Sequence, residues 1–189
     1  SNEEMRKIMS KNVIHIYGAS GSGTTTLAKH IHNNMDYFFM DTDDYFWLPT
    51  NPPYTEKRKI QERVQLMRED IEKYDKIVIS GSLVNWGNEL IPFFSLAVRL
   101  VTDTDIRIAR LKEREKRKFD SRIEKGGDMY QNHLEFIEWA AKYDNGDINM
   151  RSKAQHDEWQ NLLKCKQIVL NGTNNLNYNL QQVKNCIIL

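Results

Sequence analysis

At 189 residues the chain has the length of one ordinary domain, enough to bury a core without disulfide or metal staples. Its apolar content of 40% and charged content of 28% are those of a globular protein, and a net charge of +1 excludes bulk attraction to nucleic acid or an anionic membrane. No apolar run approaches the roughly 20 residues of a membrane span, no signal-peptide pattern opens the sequence, and Cys165 and Cys186 lack a metal-ligand partner pattern, so a reduced cytoplasmic setting is expected.

Short apolar runs alternate with longer helical patterns. In chain order the pattern predicts a strand over Val13–Tyr17, a helix over Thr25–Asn34, a strand over Tyr37–Met40 and a helix over Thr55–Tyr74. A strand over Lys76–Ser80, a helix over Asn88–Phe94, a strand over Leu96–Val101 and a helix over Thr104–Lys118 follow. Helices over Met129–Tyr143 and Arg151–Leu163, a strand over Gln167–Leu170 and a helix over Leu180–Asn185 complete the pattern. Such alternation, with β-branched strands lacking a polar face, implies an α/β domain: three layers, a parallel sheet of five strands, helices on both sides. Two stretches interrupt it. Leu48–Tyr54 holds Pro49, Pro52 and Pro53 and is expected to be an extended loop. Asp120–Asp128, with Gly126 and Gly127, lies within a long excursion after the fourth strand, approximately residues 112–152, expected to cover the site as a lid.

The most informative segment is Gly18-Ala19-Ser20-Gly21-Ser22-Gly23-Thr24-Thr25-Thr26. A strand precedes it and a helix follows, the context in which backbone N–H groups and the helix dipole converge on a phosphate. The spacing is that of a P-loop, except that Thr24 stands in the lysine position. The Thr25 hydroxyl is the candidate ligand for a magnesium ion, with Thr26 a neighbouring donor. Losing the lysine removes a charge from the transferred phosphoryl group, which another residue must replace if turnover is to be fast. Lys29, one helical turn on, reads as an ordinary solvated lysine.

In parallel sheets ligands bind beyond the carboxyl ends of the strands. Asp41, Asp43 and Asp44 follow the second strand, with Tyr45, Phe46 and Trp47 supplying aromatic surface. Asp41 is the first candidate for the base that takes a proton from an acceptor hydroxyl, and for metal contact; Asp44 is the second. Ser80, Ser82, Asn85 and Trp86 follow the third strand and are candidates for the acceptor pocket. Arg110, Arg114 and Arg117 recur on one helical face, and Arg122 and Arg151 follow. A dehydrogenase reading competes: Gly18, Gly21 and Gly23 fit a dinucleotide pattern, with Asp41 placed for a ribose. Its third glycine is Thr26, however, and no tyrosine is followed four positions later by lysine.

Strand–P-loop–helix, the acidic motif after the second strand and the basic segment after the fourth together resemble the adenylate kinase and nucleoside monophosphate kinase group, with similarity to gluconate and shikimate kinases. Arg110-Leu111-x2-Arg114-Glu115-x2-Lys118-Phe119-x2-Arg122-Ile123, then Gly126-Gly127-Asp128-Met129, resembles poorly characterised adenylate-kinase-like proteins. The resemblance implies a sheet ordered 2-3-1-4-5, ATP or another nucleoside triphosphate as donor, Mg2+, and a closing lid. Arg114, Arg117 and Arg122 would then be the lid arginines, and Asn171-Gly172 would sit near the adenine. The expected activity is phosphoryl transfer to a small acceptor (a nucleoside monophosphate, a nucleoside or a sugar-like molecule), by a monomer or homodimer. The alternative is a nucleotide-binding module with little turnover.

Overall fold

The computed structural model describes residues 1–187. Five strands, β1 (Asn12–Gly18), β2 (Phe38–Asp41), β3 (Lys76–Ser80), β4 (Leu96–Val101) and β5 (Lys166–Asn171), form one parallel sheet in the order β2-β3-β1-β4-β5. In register, Ile16 pairs with Ser80 and Asp41 also pairs with Ser80. The carboxyl ends of β1, β2 and β3 therefore lie side by side.

Alternation along the strands feeds two cores. On one face Val13, Tyr17, Ile77, Ile79 and Ala97 meet Val64, Met67 and Ile71 of α4 (Ile60–Lys73) and Trp159 of α7 (Lys153–Trp159). On the other face Ile14, Ile16, Val78, Leu96, Val98 and Leu100 meet Leu27, Ala28 and Ile31 of α2 (Thr24–Met35). Leu180 and Val183 of α8 (Leu176–Ile187) complete that second layer. The three central strands β1, β3 and β4 are buried from both sides, whereas the edge strand β5 is largely exposed, Val169 at 65%. With β1 between β3 and β4, the sheet departs from the dinucleotide-binding order, in which β2 adjoins β1, and this overturns the dehydrogenase reading. His15 packs between Tyr17 and Phe94, its Nε2 donating to the Gly81 carbonyl at 2.7 Å, and burial lowers its pKa to about 4. It is a neutral core residue.

Several expected elements shift. The helix expected from Thr55 begins only at Ile60, because Leu48–Arg58 forms a closed loop: Leu48 N–H donates to Glu56 O at 2.8 Å and Arg58 N–H to Phe46 O at 2.8 Å. Asn88–Phe93 is a 3-10 helix containing Pro92. Two helices lie outside the sequence expectation. α1 (Asn2–Met9) starts with a capping box between Ser1 and Glu4, and α3 (Thr42–Phe46) turns directly off β2 with Asp41 as its N-cap. Among the described residues no helix is long and apolar enough to cross a membrane.

The helix after β4, α5 (Thr104–Phe119), buries Arg107, Leu111, Glu115 and Phe119 at four-residue spacing. Arg107 is fully enclosed. Its guanidinium donates to Thr102 O at 3.2 Å, Ser20 O at 3.1 Å, Ala140 O at 3.2 Å and Thr104 Oγ1 at 3.1 Å. One side chain thus joins the glycine-rich loop, the β4–α5 junction and the end of α6 (Tyr130–Ala141). Charged donors satisfy those carbonyls in the absence of water, and deleting them leaves the acceptors orphaned. Arg107→Met should therefore cost about 3 kcal/mol or more of unfolding free energy. Urea denaturation measures this; a loss below about 1 kcal/mol would show that the carbonyls find other partners.

Candidate active site

The loop after β1 reverses the chain through two glycines in the left-handed region, Gly21 at φ +83° and Gly23 at φ +100°. A Cβ on Gly21 would lie 2.7 Å from Arg107 O, so α5 packs directly onto the loop. Gly23 is the N-cap of α2 and has no side-chain cap. No side chain caps the N–H groups at this helix start, the geometry in which a helix N-terminus is open to an anion.

Gly21, Gly23, Thr24, Thr25 and Thr26 line a cleft of about 400 Å³, whose other walls include Arg110, Arg114, Arg117 and Gly172. The remaining loop residues play internal parts. Ala19 is buried, Ser20 gives its carbonyl to Arg107, and Gly18 packs against Leu100 O. Ser22 turns inward, its N–H donating to Ala19 O at 3.0 Å and its carbonyl accepting from Thr102 Oγ1 at 3.0 Å. Asn171 lies outside the cleft wall: its side-chain oxygen accepts from Thr173 N–H at 2.8 Å and its carbonyl accepts from Asn179 at 3.0 Å.

The arginines divide. Arg114 and Arg117 are exposed on the cleft side of α5. Arg110 takes a part that the spacing of the three arginines gave no reason to single out. Its guanidinium donates to Gly21 O and Ser22 O, both at 3.3 Å, and to Gly172 O at 3.1 Å, clasping the phosphate loop to the turn after β5. It stands in the first half of α5, one turn beyond Arg107. Arg122 lies away from the cleft lining. Its fork binds Asp128 at 3.0 and 2.8 Å and Asn51 at 2.9 Å. Neighbouring Lys118 donates to Tyr54 Oη at 2.6 Å, so the excursion after β4 touches the proline-rich loop. Arg151 is half-buried over Trp139, with the guanidinium 5.2 Å from the ring centre.

Across β3 from the loop stands the acidic group. Thr25 Oγ1 is 3.0 Å from Ser80 Oγ, and Ser80 is the register partner of Asp41. Asp41 Oδ1 accepts from Asp43 N–H at 3.0 Å. Burial, then the adjacent Asp43 carboxylate, raises the Asp41 pKa to about 6, with Lys29 opposing weakly. Partial desolvation, then the Asp43 carboxylate, raises that of Asp44 too, although the residue as a whole is exposed. These are hard oxygen donors, suited to Mg2+. Among the described residues no three acidic, His or Cys side chains form a metal cage. Of the residues after β3, Ser82 is tied to His156 Nε2 at 3.0 Å and Trp86 forms part of the core.

A phosphate loop at the β1–α2 junction and a sheet ordered β2-β3-β1-β4-β5 define a P-loop domain of the kinase kind. The chain belongs to the AAA_18 family, described as an AAA domain, whose model matches residues 14–133. It is 37% identical to the uncharacterized protein YqaC of Bacillus subtilis, over 93% of this chain and 96% of that protein. It is 27% identical to a uridine kinase of Lactobacillus helveticus, over 88% of this chain and 99% of that protein. Among solved structures, shikimate kinase from Bacteroides thetaiotaomicron superposes with a TM-score of 0.52 at 17% identity, covering 94% of this chain and 99% of that one. A gluconokinase from Sinorhizobium meliloti gives 0.52 at 13% identity, covering 94% and 91%. Both structures share the fold.

The raised pKa of Asp41 has a signed consequence. Between the ordinary carboxylate value of 3.8 and about 6, the folded chain holds a proton that the unfolded chain has lost. Stability should therefore fall as pH rises through that window. Asp41→Asn, which cannot ionise, should flatten this part of the profile and melt higher than the parent at pH 7. Thermal unfolding from pH 4 to 7 tests it, and parallel profiles for the two proteins would refute it.

Proposed function

We propose that the protein is an ATP-binding, Mg2+-dependent phosphotransferase of the nucleotide-kinase type, in the adenylate-kinase-like branch, acting in the cytoplasm on a small acceptor. The single observation that carries this reading is the alignment across one strand of Thr25, Ser80 and Asp41, with a hydroxyl-lined helix start on one side and a proton-poised carboxylate on the other. Thr24, Thr25 and the free N–H groups of α2 receive the triphosphate. Thr25 and Asp41 would hold Mg2+, which when bound neutralises charge between phosphate oxygens. Asp41 takes the proton of the attacking hydroxyl, and a base whose pKa lies near the working pH suits that task. Arg110 and Gly172 border the same cleft, and on this reading Gly172 lies toward the adenine.

The charge absent at Thr24 is supplied by Arg114 and Arg117, whose exposed side chains border the same cleft. Arg122 joins them only if the excursion of residues 112–152 closes and its ion pair with Asp128 opens. Arginine charge delivered in this manner raises turnover by roughly 10³–10⁵ in related chemistry. A second reading, a nucleotide-binding module with little turnover, is favoured by Thr24 itself together with the engagement of Arg110 and Arg122 by protein oxygens.

Acceptor-dependent ADP release separates the two. Arg117→Ala should lower kcat by about 10²-fold or more while changing nucleotide affinity little, because its contact forms in the reacting state. Thr24→Lys should raise turnover by restoring the loop charge. Wild-type kcat retained in both Arg114→Ala and Arg117→Ala would sink the arginine account. Nucleotide binding without acceptor-dependent ADP release would favour the module.

Below pH 6 the proposed base is protonated, so kcat/KM should fall by about tenfold per pH unit there. A rate independent of pH between 5 and 7 would remove Asp41 from the role.

A further inference from the structure

The two edges of the sheet are finished differently. β2, four residues long, has no exposed residue: Phe38 stacks on Tyr74 with ring centres 3.9 Å apart, and the chain turns at once into α3. β5 is six residues long and exposes Lys166, Gln167, Val169 and Asn171. Val101, at the end of the neighbouring strand, is 52% exposed beside it. With Asp103, Leu170, Asn171 and Thr173 the two valines line a shallow cavity of about 260 Å³. Edge strands are ordinarily blunted by a central charge, a proline or a bulge. β5 has none of these. Its register with β4 is unbroken from Lys166 to Asn171, and its one charge, Lys166, stands at its first residue.

The backbone of β5 is complementary to itself. Gly172 N–H donates to Val101 O at 2.9 Å, which fixes the sense of the alternation along the strand. Ile168 and Leu170 turn their N–H and C=O groups toward β4, whereas those of Gln167, Val169 and Asn171 point outward. An antiparallel copy related by a two-fold axis at Val169 sets Val169 against Val169 and Gln167 against Asn171. All of these residues face outward, so each pairing closes a hydrogen-bonded pair, and matching side chains stay on one face. The Asn171 carbonyl accepts from Asn179 at 3.0 Å and keeps a second lone pair for the contact.

The charges agree with that register. Lys164 and Lys166 stand at the start of β5, while Asp103 and Asp105 follow β4 into α5, next to the far end of β5. All four are exposed, and none enters an ion pair among the described residues. Asp103 holds the N-cap position of α5, yet its carboxylate makes no cap bond. In the antiparallel arrangement the lysine end of each strand meets the aspartate end of the other. A parallel copy would set like charge against like.

We infer that β5 is an interface between two copies of this chain, which pair antiparallel about a two-fold axis at Val169 and join their sheets into one. The pairing holds whether or not the chain is a phosphotransferase. Because the two strands run in opposite directions, the two clefts open at opposite ends of the joined sheet, and each stays whole within its own chain. Gly172, which Arg110 holds at the edge of the cleft, follows directly on the interface residue Asn171.

Sedimentation velocity through the micromolar range tests the interface. With rising concentration the parent should pass from 22.3 kDa to twice that mass, and amide exchange at Gln167 and Val169 should slow in step. Val169→Lys sets two lysines on the axis and should weaken association by about 100-fold or more, while its circular dichroism stays that of the parent. Lys166→Glu and Asp103→Lys should each weaken association by about tenfold, since each change enters the interface twice, and the double variant should recover most of the loss. Paired Val169 residues have Cα atoms about 5.5 Å apart, within disulfide reach. Val169→Cys should therefore give a covalent dimer on mild oxidation that the parent does not give. A parent that stays at the monomer mass, a dimer that Val169→Lys leaves intact, or a double charge variant weaker than either single one overturns the interface. Growth of the parent past two copies overturns it as well, because a two-fold pairing closes on itself. A dimer that Val169→Cys fails to cross-link overturns the axis at Val169.

Discussion

The buried guanidinium of Arg107 is the contact on which the site's shape depends. A P-loop is a backbone device: its value lies in where N–H groups point, and two left-handed glycines set that direction without side chains to lock it. Something outside the loop must fix it. Arg107 does so from α5, bonding the Ser20 carbonyl while also bonding Thr102 and Ala140. Arg110, on the next turn of that helix, repeats the move on Gly21, Ser22 and Gly172. Its charge is balanced by carbonyl dipoles, and the loop gains rigidity from a cation whose donors are already committed.

That arrangement changes the meaning of the missing lysine. A lysine in the loop would bring its charge to the phosphates from within. Here positive charge reaches the loop from α5, with Arg107 and Arg110 in structural work and Arg114 and Arg117 exposed along the cleft. A helix that buries Arg107, Leu111, Glu115 and Phe119 must turn the intervening arginines elsewhere, and geometry makes the cleft the available place for Arg114 and Arg117. The same packing explains Arg122. It lies beyond the end of α5, in the turn that Asp128 and Asn51 close, where helical spacing no longer governs direction.

Much of the architecture was legible because two-sided burial leaves a strong mark. Ile14, Ile16, Val78 and Val98 permit no solvent face, so strand positions and the parallel sheet followed from the sequence within a residue or two. The phosphate loop was legible for the same local reason, glycines at fixed spacing after a strand. Less legible were elements held by few contacts or by tertiary partners. α1 buries none of its residues fully and is held by its capping box and the contact of Ile8 with the core, while α3 is five residues of largely acidic and aromatic sequence that Asp41 caps. Asn171 reads as a ligand-facing turn residue, yet its side chain closes an Asx turn onto Thr173.

Asp41 carries the cost of this design. As N-cap of α3 its carboxylate is useful to the fold, because it accepts the Asp43 N–H. As a half-buried acid beside Asp43 it resists ionising, and its pKa rises to about 6. A residue serving the fold alone would avoid that conflict, since a serine or asparagine caps as well without the charge. The conflict becomes useful when positive charge arrives. Magnesium, or a lid arginine, beside Asp41 would favour the carboxylate and lower the pKa at the moment the site fills. The same acid can then be about half protonated near pH 6 in the empty protein and ionised in the loaded one. Coupling proton release to substrate arrival in this manner requires the carboxylate to be disfavoured beforehand, which partial burial at the start of α3 and the neighbouring Asp43 provide.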